Sequence, residues 1–307
     1  MAAPTGTFIT TAAIGNREDI TDTIYRITPT LTPFLNMASK SKASNTLHEW
    51  QTQDLAAAAS NAQAEGDTLA NKTVTPTVRL NNRAQISAKA VSVSGTQRAM
   101  NPAGRKDELG YQMAMISLEL KRDIELGLTQ NSILATSPRQ SRGLPGWIVD
   151  NVDTGAGYVA ANYVTNTAQT DGTQIAFTEA RMKNVLQKIY VAGGMPDKVM
   201  LPPLAKQTFS SFTGNATRLD KSEDAKLYAS VDVYVSDFGE LSAVPNRFQR
   251  ARDVFILQSD KWAIAYLRPF QTIELAKTGD ADLREVLVEY ALEARAPKAN
   301  GAVYDIL

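Results

Sequence analysis

His48 is the first residue to consider for chemistry, because the chain contains one histidine and no cysteine. A zinc site needs several histidine or cysteine ligands, and this composition does not supply them. His48 could still act alone as a general base. Its spacing of two residues from Trp50 favours a different interpretation, in which both side chains lie on one face of a β-strand. We therefore predict that His48 packs beside Trp50 and that the chain has no metal site.

Acidic residues late in the chain are the second candidate for chemistry. They could bind a metal or act as an acid and a base, and they are Asp280, Asp282, Glu285, Glu289 and Glu293. Side chains four residues apart on a strand share one face. The three glutamates are therefore more typical of a solvated or subunit-facing edge than of a catalytic site.

Motifs of known enzymes add little support for catalysis. Asp237-Phe238-Gly239 matches the magnesium-binding tripeptide of kinases, but the glycine-rich loop and the His-Arg-Asp segment that accompany it are missing. We interpret this tripeptide as a turn at the end of a strand. No Ser-His-Asp order, phosphate-binding loop or dinucleotide fingerprint occurs. The sequence predicts no enzyme and no cofactor, with a soluble enzyme that uses carboxylates alone as an alternative.

The charge balance argues against a dedicated nucleic-acid-binding protein. The chain has 32 Lys and Arg residues against 32 Asp and Glu residues, whereas counterion release on nucleic acid usually goes with a basic excess. Basic residues in the first third are scattered and lack stacking aromatic neighbours; they are Lys40, Lys42, Arg79, Arg83 and Lys89. We expect them to form salt bridges between subunits or to lie on solvated faces.

Targeting and membrane signals are also missing from the sequence. The first mildly apolar stretch has no basic residue before it and is interrupted by Thr10 and Thr11, unlike a secretion signal. No run of ~18 apolar residues occurs, so we predict that the chain does not cross a membrane.

The first third of the chain is predicted to extend away from a globular body. Residues 1–47 contain Pro4, Pro29 and Pro33 and are predicted to form an extended arm with one short helix at 18–27. Residues 48–98 are predicted to form a two-stranded projection.

This projection is predicted to have strands at 46–52 and 74–80 around a polar loop at 55–71, whose tip carries Glu65 and Asp67. In the stretch 84–93 the apolar face runs Ala84, Ile86, Ala88, Ala90 and then shifts by one residue to Val91 and Val93. That shift predicts a β-bulge or a bend.

A long helix at 104–130 is the clearest predicted element. Its apolar stripe repeats at steps of three and four residues; the stripe is Leu109, Met113, Ile116, Leu120, Ile124 and Leu128. At ~1.5 Å per residue the helix would be roughly 40 Å long, which suggests a spine. Lys121 and Glu125 are spaced for an exposed ion pair on this helix.

The remaining chain divides into three predicted parts. A connecting region without periodicity covers 136–174, and a compact α/β unit follows it. Near the end, alternating residues at 285–294 predict a long half-buried strand.

Several N-terminal segments resemble one branch of the major capsid proteins of tailed bacteriophages. The segments are residues 15–22 (GNREDITD), Ile24-Tyr25, Pro29, Thr32-Pro33-Phe34, then 48–52 (HEWQT), Asn61-Ala62 and Glu65-Gly66. They occur in the same order as in that branch and cover the first third of the chain. Beyond them the order of elements agrees more than the motifs do.

This resemblance implies an α+β fold, the Hong Kong ninety-seven type capsid fold. The expected parts are an N-terminal arm at 1–47, an E-loop β-hairpin at 48–98, a peripheral domain with the spine helix at 99–175, an axial α/β domain at 176–268, and C-terminal strands at 269–307 that return to both domains. The arm, the projection and the spine predicted from the residues agree with this order.

The resemblance also implies a function and a set of partners. A major capsid protein self-assembles into hexamers and pentamers that form an icosahedral or prolate head around double-stranded DNA. The implied partners are other copies of the chain, a portal protein at one vertex, a possible decoration or cement protein, and packaged DNA through non-specific contacts, with no membrane. Assembly in the host cytoplasm and a final location in the virion are expected. We expect the assembly contacts to include Arg17, Tyr25, Trp50, Glu65, Asp67, Arg79 and Arg83.

Two features of some relatives are not expected in this chain. The sequence shows no long, charged, helical leader of the kind that a protease removes, and we assign no Lys–Asn pair for a covalent cross-link between subunits. An encapsulin-like compartment, which uses the same fold to hold cargo protein, is the main alternative to a phage capsid.

Overall fold

A computed structural model of the chain describes residues 28–68, 71, 73–100, 107–212, 233–277 and 279–307. The predicted arm helix at 18–27 lies outside these residues, as do the first residues of the predicted spine, 104–106.

The described residues contain both helices and strands, as an α+β fold requires. The helices are α1 (Pro33–Met37), α2 (Gly95–Ala99), α3 (Glu108–Thr129), α4 (Glu179–Val191) and α5 (Pro203–Ser210). The strands are β1 (Ser39–Lys42), β2 (Leu47–Thr52), β3 (Val78–Arg83), β4 (Gln85–Ser94), β5 (Ala135–Thr136), β6 (Arg139–Gln140), β7 (Asn151–Asp153), β8 (Lys198–Leu201), β9 (Val233–Ser236), β10 (Gly239–Pro245), β11 (Val254–Leu257), β12 (Trp262–Glu274), β13 (Ala281–Ala294) and β14 (Gly301–Val303).

Helix α3 is the predicted spine. The Asp107 side chain caps it by accepting hydrogen bonds from the backbone N–H groups of Leu109 and Gly110, which satisfies donors that the first turn leaves unpaired. The predicted apolar stripe is buried except for Met113, which is half-buried. The spine is confirmed, and at ~1.5 Å per residue its length is about 33 Å.

The apolar stripe of α3 packs on a four-stranded sheet in the order β1-β12-β13-β4. Strand β1 runs parallel to β12, and the other neighbours are antiparallel. Alternate residues of β13 face the helix, including Val288, Tyr290 and Leu292. The predicted long late strand is therefore present and forms the middle of this sheet.

The predicted bulge at 84–93 is wrong. Strand β4 pairs with β13 without a register shift, from Ser94 opposite Ala281 to Gln85 opposite Tyr290. Ala84 is fully buried and separates β3 from β4, which belong to different sheets. The passage from one sheet to another thus lies at Ala84, whereas the break in the apolar pattern between Ala90 and Val91 lies inside β4, whose alternation of inward and outward side chains continues unchanged.

The inward face of β4 also differs from the prediction, because Ile86, Ala88 and Ala90 lie exposed. Lys89 points to the other side, where its ammonium group lies 2.9 Å from Asp123 and 3.1 Å from Glu119 of α3. A long aliphatic stem lets lysine cover apolar surface while its charge reaches an acid. This lysine links the sheet to the spine within one subunit, contrary to the expected contact between subunits.

A second sheet has six strands in the order β7-β14-β11-β8-β10-β9. Strand β11 is buried throughout, and its side chains alternate between two cores: Val254 and Ile256 face α4 and α5, whereas Phe255 and Leu257 join the core under α3. A strand buried on both faces is expected to be continuously apolar. This sheet therefore separates the α4–α5 layer from the core of the spine.

Residues 141–148 were predicted to be part of a connecting region, yet all of them are buried. Gly143 and Gly146 make this path possible. A Cβ atom on Gly143 would lie 2.2 Å from the carbonyl oxygen of Gln130, and one on Gly146 would lie 2.5 Å from the Arg142 side chain. The glycines therefore allow close packing against the end of α3.

Glu125 is fully buried, so the predicted exposed pair with Lys121 is wrong. Its carboxylate accepts hydrogen bonds from the backbone N–H groups of Phe34 (2.8 Å) and Leu35 (2.8 Å) in α1, and from the Asn246 side chain (2.6 Å). Burial raises the pKa of Glu125, while these three hydrogen bonds favour the charged form. One carboxylate thus joins the spine to α1 and to the segment after β10.

We expect Glu125→Gln to destabilise the unassembled subunit by ~2–4 kcal/mol, because an amide cannot accept from all three donors and would leave one buried N–H unpaired. The midpoint of urea denaturation measures this effect. Glu119→Gln is the matched control on the same helix, since Glu119 is partly exposed and pairs with Lys89; we expect a loss below ~1 kcal/mol there. Equal losses in the two variants would contradict the anchoring role of Glu125.

Candidate assembly interface

A two-stranded hairpin carries the predicted projection. Strand β2 pairs antiparallel with β3, from Leu47 opposite Arg83 to Thr52 opposite Val78. The first predicted strand is confirmed, whereas the second begins four residues later than predicted. Every described residue from 53 to 77 between these strands is exposed, including Leu55 at 95% and Val74 at 81%. The projection therefore offers apolar side chains that its own subunit does not cover.

An aromatic stack fixes the base of this hairpin. The indole N–H of Trp50 donates to the carbonyl oxygen of Ala294 at 2.8 Å. The Trp50 ring lies 5.5 Å from the His48 ring and 5.4 Å from the Trp147 ring. The predicted packing of His48 beside Trp50 is confirmed. Trp50 is half-buried against its own subunit, so it positions the projection.

Glu293 holds the same base electrostatically. It accepts hydrogen bonds from Ser41 (2.6 Å) and Arg295 (3.0 Å), and it lies 3.2 Å from His48 Nε2. Burial alone would raise the pKa of Glu293, but the contacts with His48, Ser41 and Arg295 lower it to about 2. His48 thus contributes a polar contact to the base of the projection.

Of the three glutamates predicted to lie on a solvated or subunit-facing edge, Glu285 is half-buried, whereas Glu289 and Glu293 are buried within the subunit. Glu289 is 3% exposed and is held by Arg139 and by Arg268, whose Nε lies 2.7 Å away. Glu293 is also buried, and two of its partners, Ser41 and His48, lie far away in the sequence. No group of three or more possible metal ligands occurs in the described part of the chain.

The predicted contact residues fall into two charged groups. Glu65 and Asp67 lie at the exposed tip, where Gly66 has a positive φ of 82°. The backbone N–H of Asp67 donates a hydrogen bond to the carbonyl oxygen of Ala64 at 3.2 Å. Arg79 and Arg83 lie on β3 at the base. Arg79 is exposed and lies 3.6 Å from Glu49, a pair within the subunit. Arg17 and Tyr25 lie outside the described residues.

The kinase-like tripeptide is a hairpin turn, as predicted. Asp237 and Phe238 connect β9 to β10, and Gly239 pairs with Ser236. Gly239 has a φ of 139°, which an L side chain rarely adopts. Among the described helices, none is long and apolar enough to cross a membrane.

A partly buried ionic cluster that was not predicted lies beside the six-stranded sheet. Arg250 contacts Asp171 at 2.5 Å and Asp253 at 3.2 Å, and Arg252 contacts Asp305 at 2.8 Å. Asp253 is fully buried, and neither of its carboxylate oxygens has a hydrogen bond of good geometry among the described residues. The only sequence signal was the concentration of charged residues at 250–253 (RARD), which is equally typical of a solvated turn.

Comparison with known proteins decides the family. The chain matches the SU10 major capsid protein family over residues 4–307. The chain belongs to that family. It is also 28% identical to the major capsid protein of Escherichia phage Phieco32, over 99% of this chain and 98% of that protein.

Solved capsid structures share the fold of this SU10-type capsid protein. The capsid protein of cyanophage A-1(L) superimposes with a TM-score of 0.63 at 17% identity, over 97% of this chain and 98% of that chain. The major capsid protein of phage G, solved together with decoration proteins, gives a TM-score of 0.54 at 10% identity, over the full length of both chains. The capsid protein is thus a structural subunit of a phage shell, and the predictions of the capsid fold and of a role in assembly are confirmed.

We expect the stability of the capsid protein to depend on pH through Asp253. Burial raises the pKa of Asp253 from 3.8 to about 7, the negative charges of Asp171 and Asp305 add to this, and Arg250 and Arg252 oppose it. The stabilising contribution of the protonated carboxyl is therefore fully present below about pH 4 and is lost as the pH rises through about 7.

Between about pH 6 and about pH 8.5, the urea midpoint of the wild type should fall relative to that of Asp253→Asn, which lacks this titration. Asp237→Asn, in the exposed turn before β10, should keep the wild-type dependence. A constant difference between wild type and Asp253→Asn across this range would show that Asp253 does not titrate there.

Proposed function

We propose that the capsid protein assembles into hexamers and pentamers and that the resulting head shell encloses double-stranded DNA. The observation that carries this proposal is the exposed projection, whose described residues between 53 and 77 have few contacts with the rest of the subunit and present Leu55 and Val74 to a neighbour. Exposed apolar side chains on a segment of this kind are typical of interaction sites.

Many modest contacts favour a closed shell. Each copy would lay its projection over a neighbour, and the contacts reinforce one another because binding within a ring is effectively intramolecular. Ordering a flexible segment costs entropy, so each single contact stays weak enough to be released and corrected during assembly.

The fixed base of the projection supports separate roles for the base, which sets the direction of the projection, and for the tip, which contacts the neighbouring copy. Trp50, His48 and Glu293 hold the hairpin on the body, so its direction is set within the subunit. We propose that Glu65 and Asp67 contact a neighbouring copy directly and that Trp50 acts by positioning. Contacts between subunits at Arg17, Tyr25, Arg79 and Arg83 remain predictions, as do the domain boundaries at 47, 98, 175 and 268.

The further partners follow from a head that is filled with DNA. We propose a portal protein at one vertex and packaged DNA that the inner surface of the shell contacts without sequence specificity. A decoration protein is a further proposed partner, and phage G carries one on a capsid protein of the same fold. Assembly is proposed to take place in the host cytoplasm, without a membrane.

An encapsulin-like compartment is the alternative, and the contents of the particles distinguish the two. We expect nuclease-treated particles from producing cells to release double-stranded DNA when they are denatured, measured by gel electrophoresis and by absorbance at both protein and nucleic-acid wavelengths. Empty particles made from the capsid protein alone serve as the control. Particles that hold a stoichiometric cargo protein in place of DNA would support the compartment.

Deleting residues 55–71 should leave a folded subunit that assembles poorly. Residues 55–68 are exposed and make only local hydrogen bonds within the described chain, so the free energy of unfolding should change by less than ~0.5–1 kcal/mol. Denaturation of the subunit and negative-stain microscopy of the particles measure the two effects. Replacing the segment with a Gly-Ser linker of equal length is the matched variant, and normal shells from both variants would refute a bridging role.

A further inference from the structure

Arg142 is a buried cation without a counter-charge among the described residues. It is 3% exposed, and its Nη2 donates to the carbonyl oxygen of Tyr163 and to Asn166 Oδ1, both at 3.1 Å. Its guanidinium also lies 4.7 Å from the centre of the Trp147 ring. Burial lowers the pKa of Arg142 to about 10, so the group is charged at neutral pH. A buried charge that meets only neutral partners is costly, and an anionic partner would offset the cost.

A cavity of about 200 Å³ lies beside this arginine, under the base of the projection. Its wall includes Arg79, Arg142, Trp147 and Val164, together with apolar side chains such as Leu80 and Leu134. Two arginines line it and no acid does. The indole N–H of Trp147 is buried and has no acceptor among the described residues. The cavity thus combines positive charge, an unused donor and apolar side chains, which suits a carboxylate on a short aliphatic stem.

We infer that this cavity binds the carboxylate of Glu65 or Asp67 from a neighbouring copy of the capsid protein. This inference rests on the proposed function, because it requires copies that lie side by side in a shell. It adds the receiving site to the proposed bridging role of the projection.

Three properties of the tip are compatible with binding in the cavity of a neighbouring copy: the negative charge of Glu65 and Asp67, their exposure, and the length of chain that carries them. Glu65 and Asp67 are exposed and form no ion pair with another described residue, so the tip does not occupy the cavity of its own subunit. Thirteen positions separate Thr52 from Glu65, and an extended chain covers at most ~3.3–3.6 Å per residue. The tip can therefore reach roughly 40 Å, which is longer than α3.

Each copy then carries both halves of the contact. The acids lie at the tip, and Arg79 and Arg142 lie at the base of the same hairpin. A contact between two different patches of identical chains joins them head to tail, and such contacts close into rings when the rotation between copies allows it. Each subunit in a capsomer therefore presents its tip acids to one neighbour and its cavity to another.

Engineered disulfides test the inference directly, because the natural chain has no cysteine. Val164 lies at the cavity and is 82% exposed. We expect particles of Asp67→Cys/Val164→Cys, and of Glu65→Cys/Val164→Cys, to form covalent multimers on oxidation, seen on non-reducing gels. Each pair keeps one tip acid. Asp67→Cys/Met195→Cys, with Met195 exposed after α4, is the matched control and should remain monomeric on the gel.

Three outcomes would overturn the inference or its basis. Assembled and oxidised particles that stay monomeric on the gel would refute the cavity as the receiving site and leave the proposed function intact. Multimers from Asp19→Cys/Val164→Cys, in place of the tip pairs, would assign the cavity to the arm. Failure of the wild-type protein to form particles would instead refute the proposed function.

Charge removal gives a second and independent readout. We expect Glu65→Gln/Asp67→Asn particles to dissociate in urea about tenfold faster than wild type or more, because Arg142 would lose its counter-charge. The unfolding midpoint of the free subunit should not change. Glu240→Gln, at an exposed acid on β10, is the control and should dissociate like wild type. Unchanged dissociation of the double variant would contradict the inference.

Discussion

The carboxylate of Glu125 is the interaction on which the arrangement of the subunit depends. It lies on the spine helix, accepts from the first N–H groups of α1, and accepts from Asn246 after β10. The start of a helix leaves backbone N–H groups unpaired and carries partial positive charge, so a buried acid is a suitable partner there. All three donors converge on one side chain. Helix α1, the spine helix α3 and the six-stranded sheet are therefore held in a fixed arrangement relative to one another.

The residues that stabilise the fold and the residues proposed to contact neighbouring copies lie in different parts of the subunit. The two cores lie on opposite faces of the six-stranded sheet, and one of them continues under α3 to the four-stranded sheet. The projection, by contrast, is held near its base, through Trp50, His48 and Glu293 and through an ion pair between Asp54 and Lys298, while the described residues between 53 and 77 contribute little burial. Side chains at the tip can therefore be selected for contacts with a neighbour at little cost to the fold.

Periodicity predicted the elements whose burial follows from local spacing. The stripe of α3, the pairing of His48 with Trp50 and the long strand β13 belong to this class. Periodicity does not predict burial that depends on a distant partner: Glu289 is buried because Arg139 and Arg268 contact it, and Glu125 is buried because α1 contacts it. Of the candidate site, the acidic tip was predictable from its polar loop. Arg142 was not, since it precedes a Gly- and Pro-containing segment that gives no periodic signal.

Strand β14 has a consequence for the order in which the subunit is made. It lies between β7, which it joins in parallel, and β11, although about 150 positions separate it from β7. The second sheet therefore cannot close until residue 303 has left the ribosome, and until then the facing edges of β7 and β11 stay unpaired. A chain that stops earlier also lacks Tyr304, which is fully buried against Phe255 and Ile148. A shortened product therefore leaves one strand of this sheet missing and the core around Phe255 uncovered.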